Sequence, residues 1–393
     1  MKKIAFEVSD NVAIYAHMLP LLRAFIEKAE FSVSLYAVSE DSFSKLQTEY
    51  RFYYGQELVV SEQVILSDSH LSKLKKIVVA VAKKYNLTML LPLVRKVFTS
   101  LRKNKNNNLD DFSSFYKRNA NFFLKQDVIL TTDLKGCVAF DGFPKLVWLL
   151  HGIISSDNPF YKNWSCDLVV SPQIGLIDKL RKKTNFPIYS KVYTNAYLKY
   201  DLIKLKKDSC RENIFQNKKY TVVYNPHWDN GSGQSSWFEF GTEILEFFCN
   251  RKDINLIFAP HISLSKFYDI KVPEKYASCN NIHIDLNSDA LVRGTYISYA
   301  DCYLGDVSSQ YFEFLLCKPD IDAIFINAAN FDWRASSVYS YWNDGVVIDD
   351  VKSLNMALSS ASEMKRVRQK RFHEIPDDQV ENLLLYIKSI FLE

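Results

Sequence analysis

The chain has 393 residues, of which 48% are hydrophobic and 24% are charged, and its formal net charge is +4. This length favours two or three domains, and the composition is that of a globular protein, which excludes the disordered and fibrous classes. The sequence has no run of about 18 uncharged apolar residues and no apolar leader after Met1, so we expect neither a transmembrane helix nor a signal peptide.

The first half of the chain alternates strand-like and helical patterns. An apolar run at residues 4–8, an apolar-periodic stretch at 12–28 and a second run at 31–38 predict a β-α-β unit. Further strands are predicted at residues 128–131, 146–150 and 168–171, with a helix at 174–182. Such alternation is typical of a parallel sheet covered by helices on both faces.

A strongly basic segment interrupts this first half. No acidic residue occurs between residues 71 and 108, and apolar residues recur there at helical intervals. Basic amphipathic helices suit an anionic membrane surface, which is the interpretation we favour. An ordinary solvated helical face and a surface for nucleic-acid phosphates are the alternatives. The predicted membrane-binding residues are Lys73, Lys75, Lys76, Lys83, Lys84, Arg95 and Lys96.

The pattern restarts after a charged stretch at residues 204–219. Strands are predicted at residues 220–224, 254–258, 282–284, 302–304 and 323–326, with helices at 237–250, 288–299, 310–316 and 378–391. Two doubly wound α/β halves account for this order. Ligands of such sheets bind beyond the carboxyl ends of the strands, so the loops that follow the strands are the candidate sites.

One of these loops has the pattern of an anion site. The run from residue 302 to 319 predicts a strand, a turn at Gly305-Asp306 and a helix that begins near Ser308 and Ser309. The first amides of a helix have no partner within the helix, and its dipole favours an anion there. Asp and Ser are also common helix caps, so capping alone would explain this loop.

Histidines follow three of the predicted strands. His151 precedes Gly152 after the strand at 146–150, His227 follows the strand at 220–224, and His261 follows the strand at 254–258. His151 could act as a general base on an acceptor hydroxyl, because the pKa of histidine lies near working pH. His227 and His261 could donate to phosphate oxygens. Together with them, the Ser308–Ser309 turn is predicted to hold a pyrophosphate.

Several known motifs are absent from the sequence. It has no dinucleotide-binding glycine fingerprint, no Walker loop, no Gly-x-Ser-x-Gly elbow and no spacing that suggests a metal site. Its seven cysteines are dispersed without Cys-x-x-Cys pairs, which predicts reduced thiols in a cytosolic protein.

As an ordered set, these elements resemble the CDP-glycerol glycerophosphotransferase family of teichoic-acid primases and polymerases and their capsule and O-antigen relatives. The resemblance spans roughly residues 145–330. Its elements are His151-Gly152, Tyr224-Asn225-Pro226-His227-Trp228, Ala259-Pro260-His261 and Asp306-Val307-Ser308-Ser309. This chain has His227 where the family commonly has Thr, and Asp229 where it commonly has Arg.

The resemblance implies a GT-B-like α/β fold with two doubly wound Rossmann-like domains facing a central cleft. Residues 1–205 would bind the acceptor and carry the basic insert at 71–105, residues 218–375 would bind the CDP-linked donor, and 376–393 would form a C-terminal helix. The implied reaction moves a polyol phosphate, with glycerol phosphate favoured, from a CDP-activated donor to a hydroxyl of a lipid-linked cell-surface glycan and releases CMP.

The resemblance also implies roles for particular residues. His151 would be the base, with Gly152 on the acceptor side. His261 and Asp229 are the other catalytic candidates, Asp229 through the sugar-transfer alternative given below. The donor phosphates would be held by Asn225, Pro226, His227, His261, Asp306, Ser308 and Ser309. Within that set we expect Asp306 to shape the turn.

The expected partners are a CDP-linked donor, a lipid-linked glycan and an anionic membrane surface, without nucleic acid, metal or resident cofactor. The expected location is the cytoplasm, peripheral on the inner face of the cell membrane. One alternative is a GT-B glycosyltransferase that uses a CMP- or nucleoside-diphosphate-activated sugar, in which Asp229 would be the nucleophile or base. Another is a non-catalytic assembly protein that docks on the membrane through residues 71–105.

Overall fold

The computed structural model describes part of the chain. The chain divides into two compact units. The described residues are 1–66, 115–132, 143–151, 166–175, 178, 190–207, 214–228, 235–286, 289–308, 310–335, 337–364, 368 and 370–393. The first unit comprises Met1–Ile153, Asp157–Leu205 and Arg371–Glu393. The second comprises Ile154–Ser156 and Lys206–Lys370. The basic segment at residues 71–105 and most of the predicted helix at 174–182 lie outside the described residues.

The first unit is built on a parallel sheet. Its described strands are β1 (Lys2–Glu7), β2 (Phe31–Ala37), β3 (Glu62–Ile65), β4 (Val128–Thr131), β5 (Lys145–Leu149), β6 (Leu168–Val170) and β7 (Lys191–Tyr193). They lie in the order β3-β2-β1-β4-β5-β6-β7, and every pairing is parallel. The strand order reverses between β1 and β4, which is the switch point where doubly wound sheets bind ligands.

The second unit repeats this plan with its own parallel sheet. Its described strands are β8 (Thr221–Asn225), β9 (Asn255–Phe258), β10 (Ile282–Ile284), β11 (Cys302–Gly305), β12 (Asp322–Ile326) and β13 (Val346–Ile348). Their order is β10-β9-β8-β11-β12-β13, again with parallel pairs only. The switch point here lies between β8 and β11. Two doubly wound sheets therefore confirm the predicted α/β fold class.

Helices connect the strands in both units. In the described chain they are α1 (Leu19–Ile26), α2 (Glu40–Tyr54), α3 (Ala120–Phe123), α4 (Lys199–Lys207), α5 (Ser236–Asn250), α6 (Ile262–Phe267), α7 (Glu274–Ala277), α8 (Asp289–Val292), α9 (Thr295–Tyr299), α10 (Gln310–Cys317), α11 (Leu354–Met364) and α12 (Gln379–Phe391). Short 3₁₀ helices cover Val12–His17, Trp333–Ala335, Ser337–Asp344 and Val351–Ser353.

Two predicted helices are each divided in the structure. The stretch at 12–28 forms the 3₁₀ helix Val12–His17 and then α1, because Pro20 lacks an amide proton and fits only the first turn of a helix. The stretch at 288–299 forms α8 and α9, separated at Gly294, whose φ of 76° is left-handed. Apolar periodicity continues across both breaks, so periodicity alone does not reveal them.

Each unit has its own hydrophobic core. In the first, the buried faces of β1, β2 and β4 pack against α1, and α12 adds Leu383, Leu384 and Ile387 to the same cluster. In the second, β8, β9, β11 and β12 pack against α5 and α11. Burying one such large apolar side chain contributes roughly 1.5–3 kcal/mol. The last helix of the chain therefore belongs energetically to the first unit.

The cysteine prediction is wrong for one pair. Cys249, in the last turn of α5, and Cys279, before β10, form a disulfide with a Cα–Cα distance of 6.0 Å, which suits such a bond. Thirty residues separate the two cysteines along the chain, so only the fold brings them together. Cys166 and Cys302 are buried free thiols, as expected. Cys137 and Cys210 lie outside the described residues.

No helix in the described part of the chain is long and apolar enough to cross a membrane.

Candidate functional site

The carboxyl edge of the second sheet brings three of the predicted loops together. The loop after β8 contains Pro226 and His227, the loop after β9 contains His261, and the turn after β11 contains Asp306. The His261 amide donates to the carbonyl of Pro226 at 3.0 Å, which joins the first two loops. The strands β8 and β11 flank the switch point of the sheet, so this edge is where a ligand is expected.

The side chain of Asp306 links the loop after β8 to the start of α5 at this edge. Its side chain is 1% exposed, and one carboxylate oxygen accepts the His227 amide at 2.8 Å. The other accepts both the amide and the hydroxyl of Ser236, at 2.7 and 2.8 Å. Burial raises the pKa of this carboxyl above its ordinary value, while His227 and the Ser236 donors oppose the rise. The carboxylate thus faces protein donors, which is the arrangement of a residue that shapes the turn.

Asn225 also acts within the protein. It is fully buried at the end of β8, and its amide nitrogen donates to the carbonyl of Ala259 at 2.7 Å. Its oxygen accepts from the hydroxyl of Tyr303 at 3.3 Å. Asn225 therefore ties the end of β8 to the loop after β9 and to Tyr303 of β11.

Two aromatic residues that no sequence pattern indicated donate hydrogen bonds to this turn. Tyr341 and Trp342, in the 3₁₀ helix Ser337–Asp344, both donate to the backbone carbonyl of Asp306 at 3.3 Å. Phe325 of β12 packs against both rings. Nothing in the spacing of these residues points to the turn, because they follow it in sequence by more than thirty residues.

Ser308 begins α10. Its hydroxyl accepts from the amide of Gln310 at 3.2 Å, and the side chain is buried. This is the contact of a helix cap, one of the two roles considered for the loop. Ser309 lies outside the described residues.

His261 has a defined tautomer. It is the N-cap of α6, and its Nδ1 accepts from the amide of Ser263 at 3.1 Å. An amide only donates, so Nδ1 carries a lone pair and the ring proton is on Nε2. Burial, with a smaller effect of His227, lowers the pKa of His261 to about 3. At neutral pH the side chain is therefore an uncharged ring with Nε2–H available as a donor.

The rings of His227 and Trp228 lie beside His261. The ring centroid of His227 lies 5.6 Å from that of His261, and the ring of Trp228 lies 6.5 Å away. Trp228 in turn packs against Phe267 of α6 at 5.4 Å. Two imidazoles beside a flat apolar wall can donate hydrogen bonds to an anion while limiting access of water.

His151 occupies a different environment, at the carboxyl edge of the first sheet. It follows β5 and is exposed, and its Nδ1 lies 2.7 Å from the backbone carbonyl of Thr132, after β4. A carbonyl only accepts, so Nδ1 carries the proton and Nε2 carries the lone pair. This tautomer is the one a general base needs, with the basic nitrogen left for a substrate.

Other residues near His151 were not found from the sequence. The ring of His17 lies edge-on at 6.4 Å from His151, and the ring of Tyr197 lies 5.3 Å from His17. Burial lowers the pKa of His17 well below its ordinary value, and the charges of Lys199 and His151 add to the effect. His17 falls inside an apolar-periodic stretch, where a histidine gives no signal of its own.

The remaining predicted site residues lie outside the described chain. They are Gly152, Asp229, Ser309 and the basic residues Lys73, Lys75, Lys76, Lys83, Lys84, Arg95 and Lys96. Among the described residues, no group of three His, Cys, Asp or Glu side chains could hold a metal ion.

Comparison by sequence finds no matching protein family and no matching curated protein. Comparison by structure finds MnaA of S. aureus, determined with UDP, at 12% identity and a TM-score of 0.58, over 99% of this chain and 96% of that one. The wall teichoic acid polymerase TagF is similar at 12% identity and a TM-score of 0.54, over 99% and 88%.

A third similar structure is the UDP-GlcNAc 2-epimerase of Neisseria meningitidis bound to UDP-GlcNAc. Its identity is 10% and its TM-score 0.53, over 99% of this chain and all of that one. At such identities the likeness establishes the fold. The chain therefore has a GT-B-like α/β fold with two Rossmann-like domains, as the sequence predicted.

Proposed function

We propose that this protein is a transferase that moves a polyol phosphate from a CDP-activated donor to a hydroxyl of a lipid-linked glycan and releases CMP. Glycerol phosphate is the favoured cargo. The observation that carries the proposal is the neutral His261 beside His227 at the carboxyl edge of the second sheet, where His261 presents Nε2–H as a donor. The fold shared with the teichoic acid polymerase TagF supports the same chemistry.

The donor half of the reaction needs groups that stabilise negative charge. When the acceptor oxygen attacks the phosphorus that bears the polyol, the bond from that phosphorus to the oxygen of CMP breaks, and negative charge develops on the CMP phosphate. Donors fixed in place before the reaction stabilise such charge most effectively. His261 Nε2–H and His227 are the described candidates for this role, and the network of Asp306 fixes the backbone that carries His227.

The acceptor half needs a base. The attacking hydroxyl must lose its proton, and His151 offers Nε2 as a basic nitrogen because Thr132 fixes the proton on Nδ1. The proton would move from the acceptor hydroxyl to Nε2 as the new oxygen–phosphorus bond forms. A positioned general base of this kind typically contributes about 10²–10⁴-fold in rate.

The membrane part of the proposal rests on the sequence. The basic segment at residues 71–105 would hold the protein at an anionic surface, beside a lipid-linked acceptor. Flotation of the full chain with vesicles, with and without anionic lipid, tests this claim. Neutralising Lys73, Lys75, Lys76, Lys83 and Lys84 should abolish the dependence on anionic lipid, and unchanged flotation would contradict it.

A second candidate function is the use of a nucleoside-diphosphate sugar, either in glycosyl transfer or in epimerisation. The fold shared with the UDP-bound MnaA and with the UDP-GlcNAc 2-epimerase supports this candidate. In glycosyl transfer the bond to the sugar breaks, so the nucleoside diphosphate leaves, whereas polyol-phosphate transfer releases the monophosphate.

A donor panel separates these candidates. The purified full chain would be incubated with CDP-glycerol, CDP-ribitol, CMP-sugars and UDP-GlcNAc, with a lipid-linked glycan acceptor, and the nucleotides and products followed by mass spectrometry. The proposal expects CMP from CDP-glycerol and a product heavier by one glycerol phosphate. Release of a nucleoside diphosphate, or isomerised UDP-GlcNAc, would support the second candidate. CMP released from a CMP-sugar, with a product heavier by one sugar, would contradict the proposal. No reaction with any donor would favour a non-catalytic assembly protein.

A further inference from the structure

His17 is in direct contact with the proposed base. It ends the 3₁₀ helix that follows β1, and only 3% of its surface is exposed. Its ring meets the ring of His151 edge-on, with centroids 6.4 Å apart and planes at 68°. On its other side it meets the ring of Tyr197 at 5.3 Å and 75°. His17 is therefore wedged between the base and a second aromatic ring.

Tyr197 is itself held by the C-terminal helix. Its backbone amide donates to Oε1 of Gln379 at 2.7 Å, across 182 residues of sequence. Gln379, the first residue of α12, has no exposed surface, and its Nε2 donates to Asp201 of α4 at 2.6 Å. Both polar atoms of this buried amide are thus in use, which fixes Tyr197 against α12. A continuous line of contacts joins α12 to His151 through Tyr197 and His17.

The charge of His17 suits this position. Its pKa is lowered by burial first, and then by the neighbouring Lys199 and His151, so the ring stays neutral at working pH. A cation at this position would repel the protonated form of His151 and weaken it as a base. A neutral ring can support His151 from the side without that cost.

We propose that His17, Tyr197 and Gln379 are positioning residues that hold the ring of His151 in the orientation in which its Nε2 meets the acceptor. The described hydrogen bond to Thr132 selects Nδ1 as the protonated nitrogen only while the ring keeps this orientation, because a ring held at one point can swing away and lose that bond. The edge-on contact with His17 holds the ring at a second point. The catalytic meaning of this orientation rests on the proposed function, whereas the contact itself does not.

The first test observes His151 directly. The full chain, labelled with ¹⁵N-histidine, gives long-range proton–nitrogen spectra that report the tautomer of each of the seven histidines, and His151→Gln assigns the signal. The wild type should show one fixed Nδ1–H tautomer. His17→Ala should give a mixture of tautomers, His17→Phe should retain the wild-type signal because it keeps a ring, and Gln379→Leu should resemble His17→Ala.

A matched control separates positioning from general loosening of α12. Lys388 of the same helix pairs with Glu30 at 3.1 Å, so Glu30→Gln removes a contact of α12 elsewhere. This variant should keep the wild-type His151 signal. An unchanged signal in His17→Ala, or the same mixture in Glu30→Gln, would overturn the proposal. If Gln379→Leu does not fold, the pair His17→Ala and His17→Phe decides alone.

The second test is kinetic. With the donor on which the wild type turns over, His17→Ala should lower kcat on the order of 10- to 100-fold, because misplacing a catalytic group by about 1 Å has effects of that size. The donor KM should not change, and His17→Phe should recover most of the rate. A fall that appears in KM alone would contradict positioning of the base. A wild type inactive with every donor would refute the proposed function, and the spectra would still decide the positioning role.

Discussion

The carboxyl edges of the two sheets are built in different ways. At the second edge, the loop after β8, the start of α5 and the 3₁₀ helix Ser337–Asp344 all donate to the buried Asp306, and the imidazole of His261 caps α6. At the first edge, His151 is exposed and makes one described hydrogen bond, to a backbone carbonyl. The two sheets share one strand order, but the edge with Asp306 has many hydrogen bonds between its loops, whereas the edge with His151 is open to solvent.

The two histidines also differ in tautomer. His261 accepts at Nδ1 and donates at Nε2, whereas His151 donates at Nδ1 and accepts at Nε2. A donor held rigidly in a buried site suits stabilisation of a phosphate, and a basic nitrogen near solvent suits removal of a proton from an incoming hydroxyl. In each case a backbone group selects the tautomer, so backbone geometry assigns the two imidazoles opposite roles.

The largest expected effect is on turnover, at the first edge. His151→Gln should lower kcat by roughly 10²–10⁴-fold, because the side chain can no longer take up a proton. Affinity for the CDP-linked donor should stay as in the wild type, since His261 and His227 are intact. CMP release and calorimetric donor titration measure the two quantities. A variant with full turnover would remove His151 from the mechanism.

The second effect is on folding, at the second edge. Asp306→Asn replaces a buried carboxylate that accepts from His227 and Ser236, and it turns an amide NH₂ towards other donors. We expect the free energy of unfolding to fall by roughly 3–5 kcal/mol. Urea denaturation followed by tryptophan fluorescence measures this loss.

A matched carboxylate lies at the opposite end of the same strand. The side chain of Asp301, exposed before β11, accepts from the amide of Thr221 at 2.9 Å. Asp301→Asn keeps an acceptor in that place and should cost less than about 1 kcal/mol. Equal losses of unfolding free energy in the two variants would show that the hydrogen bonds of Asp306 stabilise the fold no more than the bond of Asp301 does.

A smaller effect separates the two functions of His261. In His261→Asn the side chain can still cap α6, but it lacks the Nε2 donor. Donor affinity should fall roughly 10- to 100-fold, the value of one hydrogen bond to a charged group, while the stability stays near that of the wild type. His261→Ala should lose the same affinity and about 1 kcal/mol of stability in addition. Undiminished donor binding by His261→Asn would place the donor phosphates elsewhere.

The smallest effect is the dependence of stability on pH. The pKa of His261 is about 3 in the folded chain and near 6.5 in the unfolded chain, and the pKa of His17 is lowered in the same direction. Between these values the unfolded chain binds more protons. Stability is therefore complete above about pH 6.5 and is lost as the pH falls, by at most about 1.4 kcal/mol per pH unit for each histidine.

Urea midpoints at about pH 7, 6 and 5 measure this slope. His261→Asn should give a flatter dependence than the wild type, because its share of the proton uptake is absent. The same slope in both proteins would mean that the pKa of His261 is close to its ordinary value in the folded chain.

Much of the fold follows from local patterns that the sequence carries. The apolar runs that become β1, β2, β4, β8, β9 and β11 are buried on both faces, as parallel strands covered by helices must be, and they are found by composition alone. The edge strands β3, β7 and β13 were missed, because they are short and partly exposed. The helices α2 and α11 were not predicted either. In α2, frequent charged and polar residues obscure the apolar face of the helix.

Local sequence patterns were sufficient to predict that histidines follow strand ends and that a turn with Asp306 precedes a helix. They were sufficient because a strand, a turn and a cap are set by neighbours a few residues apart. That the Asp306 carboxylate accepts from Ser236, seventy residues away, follows from tertiary packing alone. Only it brought His17 against His151 and selected opposite tautomers for His151 and His261. Those outcomes depend on which backbone groups the packed sheets bring within hydrogen-bonding distance, and no local pattern encodes that.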